Sequence, residues 1–278
     1  MHRTRPWIAS LAVVLTGACA SPPTTLTEVG EYRPGTGLAN GYLARGELPD
    51  SLALVPPPPA PGSAAQADDD EAWRALTALR EGPRGKLATE DAALTSPPAP
   101  KAFACALGVN LNERDTPHLT MLLRRTLLDA GLATYKAKDH YQRQRPFVVH
   151  KAATCTPDEE AMLAKDGSYP SGHSAIGWAW ALVLTQVAPE RTDALLQRGR
   201  AFAQSRGVCG VHWKSDIENG RLVGSATVAR LQGNAVFNAQ LAAARNELAS
   251  ARASGKVPAQ ADCAAEAATL ATSKSMAP

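Results

Sequence analysis

Apolar positions in the second half of the chain recur with the spacing of α-helices. The clearest pattern follows Pro117, where leucine and alanine side chains repeat every three or four residues as far as Tyr135. No segment shows the alternation expected of a half-buried strand, so the sequence predicts an all-α fold, a compact helical bundle. Further helices, separated by proline or glycine, are predicted at about 174–187, 191–204, 214–231 and 234–253.

The amino-terminal part of the chain lacks this periodicity. It is polar, interrupted by glycine and proline, and ends in a polyproline stretch at Pro56–Pro59 that favours an extended strap over the domain surface. The acidic run Asp68–Glu71 is expected to start a helix that continues through Trp73. The predicted divisions are an irregular Pro-rich arm over 21–62, a helical domain over 63–253 and a low-complexity tail over 254–278.

The first twenty residues have the pattern of an export signal. Basic residues precede a short apolar run at Ile8–Leu15, and small residues end the segment at Ala20. The run is too short to span a bilayer, and no later segment has an apolar run of spanning length. We expect a periplasmic or secreted protein, with lipid attachment at Cys19 as the alternative.

Removal of the signal would leave an even number of cysteines in an oxidising compartment, where disulfides are expected. Four cysteines allow three pairings. There is no CxxC motif, and Cys209 with His212 lacks further ligands nearby, so the sequence gives little support to a zinc site. The four cysteines are Cys105, Cys155, Cys209 and Cys263.

Composition narrows the class of partner. The chain has 278 residues, of which 45% are apolar and 20% charged, which suits one main globular domain. The formal net charge is only +3 and aromatic residues are 5%, so neither a basic stripe nor a base-stacking platform for nucleic acid is expected. A homo-oligomer is left open.

Three segments carry the groups that phosphoryl transfer requires. That reaction needs positive charge at the non-bridging oxygens, a positioned nucleophile and a proton for the leaving group. The guanidinium groups of Arg145 and Arg206 and the ammonium of Lys138 supply positive charge. The backbone N–H groups of Ser171 and Gly172, at a helix start, can point at an anion. With three cations no metal is needed, and we expect no cofactor. The segments contain Lys138 and Arg145-Pro146, then Pro170-Ser171-Gly172-His173, then Arg206, His212 and Asp216.

The histidines are distinguished by their neighbours. Because Asp216 follows His212 by four residues, a helix would place its carboxylate beside one ring nitrogen and leave the other free to attack phosphorus. His173, in the Pro-Ser-Gly-His turn, is then the general acid. The other three histidines are interpreted as surface or hydrogen-bonded residues, although His140 could still face the pocket; they are His118, His140 and His150. Two tryptophans, Trp178 and Trp180, are interpreted as core residues.

Together the three segments resemble the tripartite signature of the type 2 phosphatidic acid phosphatase (PAP2) superfamily, which also contains the vanadium haloperoxidases. The chain from Leu48 to Leu231 is similar to the bacterial class A non-specific acid phosphatases, and it departs from them at Gln66, where an aromatic residue is expected. The resemblance implies a metal-independent acid phosphatase of broad specificity, a phosphohistidine at His212 that water hydrolyses, and inhibition by vanadate in the phosphate site. It also implies the disulfides Cys155–Cys209 and Cys105–Cys263.

Two other functions compete with hydrolysis of phosphate monoesters. A vanadate-dependent haloperoxidase would use the same oxyanion pocket, although the short chain and the arm argue against it. A non-catalytic phosphate-binding envelope protein would keep the pocket without turnover, which the presence of His173, His212 and Asp216 disfavours. Membrane lipid phosphatases share the signature but need spanning helices.

Overall fold

The computed structural model describes residues 21–95 and 99–274, and these ranges fold into α-helices joined by short loops. Within them the β pairing amounts to one isolated bridge between Glu31 and Ala39, so the all-α prediction is confirmed. The helices are α1 (Leu26–Val29), α2 (Ser51–Leu54), α3 (Ala64–Thr77), α4 (Pro83–Ala92), α5 (Ala104–Leu107), α6 (Pro117–Ala133), α7 (Tyr135–Tyr141), α8 (Pro146–His150), α9 (Glu160–Leu163), α10 (Gly172–Val187), α11 (Thr192–Val208), α12 (Lys214–Leu231), α13 (Ala235–Ala253) and α14 (Gln260–Ala271).

Helix α10 lies at the centre of the bundle and packs against α6, α11 and α12. It is apolar on most sides, because neighbouring helices cover most of its surface. Trp180 is completely buried and donates its indole N–H to the Leu123 carbonyl at 2.8 Å, whereas Trp178 is partly exposed and bonds Ser225. A Cβ on Gly220 would lie 2.5 Å from the Ser171 carbonyl oxygen, so glycine allows α12 to touch the start of α10.

The acidic run does not start α3, as the sequence had suggested. The helix begins earlier, at the N-cap Ser63, whose hydroxyl accepts the Gln66 amide. The acids lie in the second turn, where the three aspartates each have a partner distant in sequence. These pairs are Asp68 with Lys214, Asp69 with Arg143 and Asp70 with His150.

The arm is held to the helical domain by a buried carboxylate. Asp129 of α6 accepts the backbone N–H groups of Tyr42 at 2.9 Å and Leu43 at 3.2 Å, and the Arg125 guanidinium lies 4.0 Å from the centre of the Tyr42 ring. Burial raises the pKa of Asp129 to about 6 against the lowering effect of the two amides and Arg125. After α2 the polyproline stretch runs extended, and the Pro56 carbonyl accepts a hydrogen bond from the Tyr169 hydroxyl at 2.7 Å.

The segment expected as a low-complexity tail contains helix α14. The disulfide Cys105–Cys263 links this helix to α5, with the Cα atoms 5.3 Å apart. Ser273 is buried and accepts a hydrogen bond from the Arg84 guanidinium at 3.1 Å. Covalent and polar contacts therefore fix a segment whose composition alone does not predict packing.

The second disulfide, Cys155–Cys209, joins the loop before α9 to the residue after α11, with the Cα atoms 4.8 Å apart. Both pairs are those that the family resemblance implied. The proposed export signal lies outside the described residues. Among the described helices, none is long and apolar enough to cross a membrane.

We expect Asp129→Ala to lower the free energy of unfolding by about 2 to 4 kcal/mol, because it leaves two buried amides of the arm without an acceptor. Urea unfolding at neutral pH measures this change, with exposed Asp139→Ala as the control. An effect no larger than that of the control would show that the carboxylate does not anchor the arm.

Candidate active site

The Pro-Ser-Gly-His turn opens helix α10 as predicted, but one of its amides is already used. Ser171 is the N-cap, and its hydroxyl accepts the Ser174 amide at 3.2 Å. Its own N–H donates to the Asp216 carbonyl at 2.9 Å, so it is not available to an anion, contrary to expectation. Gly172 and His173 occupy the first helical positions, where amides have no partner within the helix. The amides of this helix that could face an anion are therefore those of Gly172 and His173.

Three cations expected at the site are buried. Lys138 is 3% exposed, Arg145 2% and Arg206 0%. Burial, followed by the charge of Arg145, lowers the pKa of Lys138 to about 8 and that of Arg206 to about 10. Three buried positive groups raise one another's free energy, and an anion among them would relieve that repulsion.

Arg145 is held mainly by the backbone. Its Nε donates to the carbonyls of Leu163 at 2.8 Å and Asp166 at 3.1 Å, and its Nη1 donates to the Val211 carbonyl at 3.1 Å. Nη1 also lies 2.9 Å from Nε2 of His212. The guanidinium thus has one fixed orientation beside the expected nucleophile.

Arg206 has no such support. Among the described residues, none of its three guanidinium nitrogens has a hydrogen-bond partner, although all three are buried. The positive charge of Arg206 helps to lower the pKa values of His173 and His212. The charge of Arg145 in turn helps to lower the pKa of Arg206. A buried guanidinium without a partner is costly, and its donors match the oxygens of a tetrahedral oxyanion.

His212 and Asp216 contact each other in a turn rather than along one helix. His212 precedes α12, whose N-cap is Trp213, and Asp216 is the third residue of that helix. The Asp216 carboxylate accepts from the Trp213 amide at 2.9 Å and lies 3.2 Å from Nδ1 of His212. This arrangement places the proton on Nδ1 and leaves a lone pair on Nε2.

His173 reaches a backbone carbonyl across the pocket. Its Nε2 lies 3.0 Å from the carbonyl oxygen of Ala92, the last residue of α4. Burial, and then the positive charge of Arg206, lowers the pKa of His173 well below its usual value. Burial and Arg145 do the same to His212, which keeps this histidine neutral, and therefore nucleophilic, in acid.

Two residues at the site were not identified from the sequence. Arg143 donates to Asp216 Oδ1 at 2.7 Å and to Asp69 Oδ2 at 2.7 Å, so it connects the orienting carboxylate with α3. It also bonds Gln66 at 2.9 Å, at the position where an aromatic was expected. Ser168 donates its hydroxyl to Asp216 Oδ2. The sequence signal was present, since Arg143 stands two residues before Arg145 and Ser168 two before Pro170, but neither position belongs to the signature.

The remaining histidines make contacts of their own. His118 bonds Gln240, and His140 is exposed against Tyr141. His150 stacks on Trp73 and pairs with Asp70. In residues 21–95 and 99–274, no three His, Cys, Asp or Glu side chains come together in a way that could hold a metal ion.

Comparison with known proteins places this pocket in a family context. The PAP2 superfamily matches residues 119–235. A non-specific acid phosphatase of Providencia stuartii is 44% identical over 209 residues, covering 75% of this chain and 84% of that protein. An acid phosphatase of Zymomonas mobilis is 41% identical over 209 residues, covering 75% and 79%. A non-specific acid phosphatase of Salmonella typhimurium is 42% identical over 203 residues, covering 73% and 81%.

We expect Arg206→Met to stabilise the empty protein by about 1 to 3 kcal/mol, because it removes a buried charge that has no partner. The same change should weaken binding of orthophosphate and vanadate by at least about 100-fold, because a bidentate donor is lost. Urea unfolding and calorimetric titration measure the two effects, with exposed Arg74→Met as the control. Unchanged anion affinity in Arg206→Met would remove this guanidinium from the binding site.

Proposed function

This chain belongs to the PAP2 superfamily, and we propose that its acid phosphatase activity proceeds through a covalent phosphohistidine at His212. The observation that carries this proposal is the buried, unpartnered guanidinium of Arg206 beside two histidines whose contacts differ. Arg206 supplies an oxyanion site, His212 has a carboxylate on one nitrogen, and His173 has none.

In the first step, Nε2 of His212 attacks phosphorus. The new N–P bond forms as the P–O bond to the leaving group breaks, and His173 gives its proton to the departing oxygen. Nη1 of Arg145 lies 2.9 Å from Nε2 in the empty site, and the entering phosphoryl group must replace this contact so that the lone pair is free. Asp216 stabilises the charge that develops on the His212 ring.

In the second step, water attacks the phosphohistidine. The now neutral His173 accepts a proton from that water, the N–P bond breaks, and His212 regains its neutral form while orthophosphate is left among the cations. Over the cycle His173 therefore gives one proton to the leaving group and takes one from water, while His212 keeps its Nδ1 proton. The sequence of steps starts and ends with the same protonation states.

Charge neutralisation of the transferred group is proposed to come from Lys138, Arg145 and Arg206 rather than from a metal. Three cations and the amides of Gly172 and His173 supply donors on several sides of a phosphoryl group. Because these groups all recognise the phosphate, we propose broad specificity toward the alcohol part of the ester. Vanadate is proposed to inhibit by occupying the same donors.

The two disulfides are compatible with a protein that works outside the cytoplasm. We propose export to the periplasm or the medium, which is supported by the basic and apolar pattern of the first twenty residues.

Hydrolysis of p-nitrophenyl phosphate in the presence of a chelator tests the nucleophile. His212→Ala should lose at least about 1000-fold in kcat, because the covalent route is removed. The control is His140→Ala, an exposed histidine on the same helix as Lys138, which should keep the wild-type rate. Equal rates in wild type and His212→Ala would refute the assignment, and halogenation activity with vanadate in place of hydrolysis would favour a haloperoxidase.

The acid role of His173 predicts a dependence on the leaving group. His173→Ala should lose about 100-fold or more with an alkyl phosphate and much less with p-nitrophenyl phosphate, whose leaving group needs little protonation. Because His173 must carry a proton and its pKa is lowered, wild-type kcat/KM on the alkyl ester should fall as pH rises from the acid range. The variant should lack this descending limb. An equal loss on both substrates would contradict the assignment.

A further inference from the structure

The phosphate pocket already contains a carboxylate that the mechanism does not use. Asp166 lies in the loop between α9 and α10, and its Oδ2 is 3.0 Å from Nη2 of Arg145 and 3.5 Å from Nζ of Lys138. One carboxylate oxygen therefore bridges two of the three buried cations, as an oxygen of a phosphate would.

Asp166 accepts a hydrogen bond from Nη2 of Arg145, the guanidinium nitrogen that would be available to a ligand. Its Nε and Nη1 each donate to main-chain carbonyls, which fix the guanidinium to the protein. Nη2 has no main-chain acceptor among the described residues, and its partner is the Asp166 carboxylate. Lys138 is similar, since its ammonium also donates to the Gly167 carbonyl. Asp166 thus competes with a bound phosphate for Nη2 of Arg145 and Nζ of Lys138.

The Asp166 side chain is able to leave these donors. It is 32% exposed, whereas the side chains of Lys138 and Arg145 are 4% and 2% exposed. The main chain around it is fixed, because the Asp166 carbonyl accepts from Arg145 and the Ser168 amide donates to the Arg143 carbonyl at 2.8 Å. Rotation of the side chain toward solvent therefore opens the two cations without moving the loop.

We propose that Asp166 is an internal competitor of phosphate, which weakens the binding of orthophosphate and so promotes release of the product. The inference rests on the proposed function, since it assigns Lys138 and Arg145 to the phosphate. A dianion that enters must displace the carboxylate from both cations and then remain close to its negative charge. Arg206 has no hydrogen-bond partner among the described residues, so its donors are not subject to this competition.

A purely structural role for Asp166 makes the opposite prediction. If the carboxylate only holds Lys138 and Arg145 in place, its removal would disorder the cations and weaken phosphate binding. If it competes, its removal strengthens phosphate binding. The sign of the change therefore separates the two roles.

The test is Asp166→Asn, which keeps the size of the side chain and removes its charge. We expect the competitive inhibition constant of orthophosphate, measured against p-nitrophenyl phosphate, to fall about five- to tenfold, and KM to fall with it. Calorimetric titration with orthophosphate should show the same gain without turnover. The control is Asp139→Asn, which makes the same change in net charge at an exposed site next to Lys138 and should shift the constant less than about twofold.

An inhibition constant that is unchanged or higher in Asp166→Asn would overturn the proposal, as would an equal fall in Asp139→Asn. Circular dichroism establishes that each variant is folded, and Asp166→Ser replaces Asp166→Asn if the latter is not. The outcome is distinguishable from failure of the proposed function. If the proposed function is wrong, wild type neither hydrolyses p-nitrophenyl phosphate nor binds orthophosphate. If only this inference is wrong, wild type still hydrolyses the ester and binds orthophosphate.

Discussion

The structure depends most on buried Asp216, because this residue holds the His212 ring, the start of α12 and the Pro-Ser-Gly-His turn in place. Its main-chain carbonyl accepts the Ser171 amide, so the residue that orients the nucleophile also positions the turn that binds the anion. A carboxylate with this many donors cannot rotate, which gives the His212 ring one orientation and one tautomer. The donors are Nδ1 of His212, the Trp213 amide, the Ser168 hydroxyl and the Arg143 guanidinium.

Arg143 explains why the amino-terminal segment belongs to the catalytic unit. One guanidinium bonds Asp216 on one side and Asp69 of α3 on the other, and both carboxylates are buried. The charge of Asp216 is thereby paired with that of Arg143 before any ligand binds, and it offsets the charges of Lys138 and Arg145 only in part. The pocket keeps a positive excess, which Asp166 reduces from the solvent side. Affinity for a dianion is then set by two carboxylates with different tasks.

The sequence was sufficient for whatever depends on periodicity or on a fixed spacing. The boundaries of α12 agree with the predicted 214–231, because both ends of that pattern are marked in the sequence. The sequence was not sufficient to predict contacts between segments that are distant along the chain. The acids at 68–71 resemble a helix start, and only the folded chain shows that Asp69 binds Arg143. The helical tail depends on its link to Cys105, which composition does not reveal. The Ser171 amide was misjudged because its acceptor is the main chain of Asp216.

The proton on His173 is subject to two opposing influences. Burial and the neighbouring cations disfavour the imidazolium, while the Ala92 carbonyl at the end of α4 favours it, since helix carboxyl ends carry partial negative charge. Helix α4 is fixed next to that carbonyl, because Asp91 pairs with Arg198 at 2.5 Å and accepts the Ser205 hydroxyl at 2.6 Å.

The buried carboxylate of Asp91 therefore positions two groups. One is the Ala92 carbonyl beside His173, and the other is Arg206, which follows Ser205 in the chain. A bound phosphoryl group would add negative charge beside His173 and shift the balance toward the imidazolium. Burial and the neighbouring cations lower the pKa of His173 in the empty pocket, and the negative charge of a bound ester would oppose that lowering. Protonation of the proposed general acid would therefore depend on the presence of substrate.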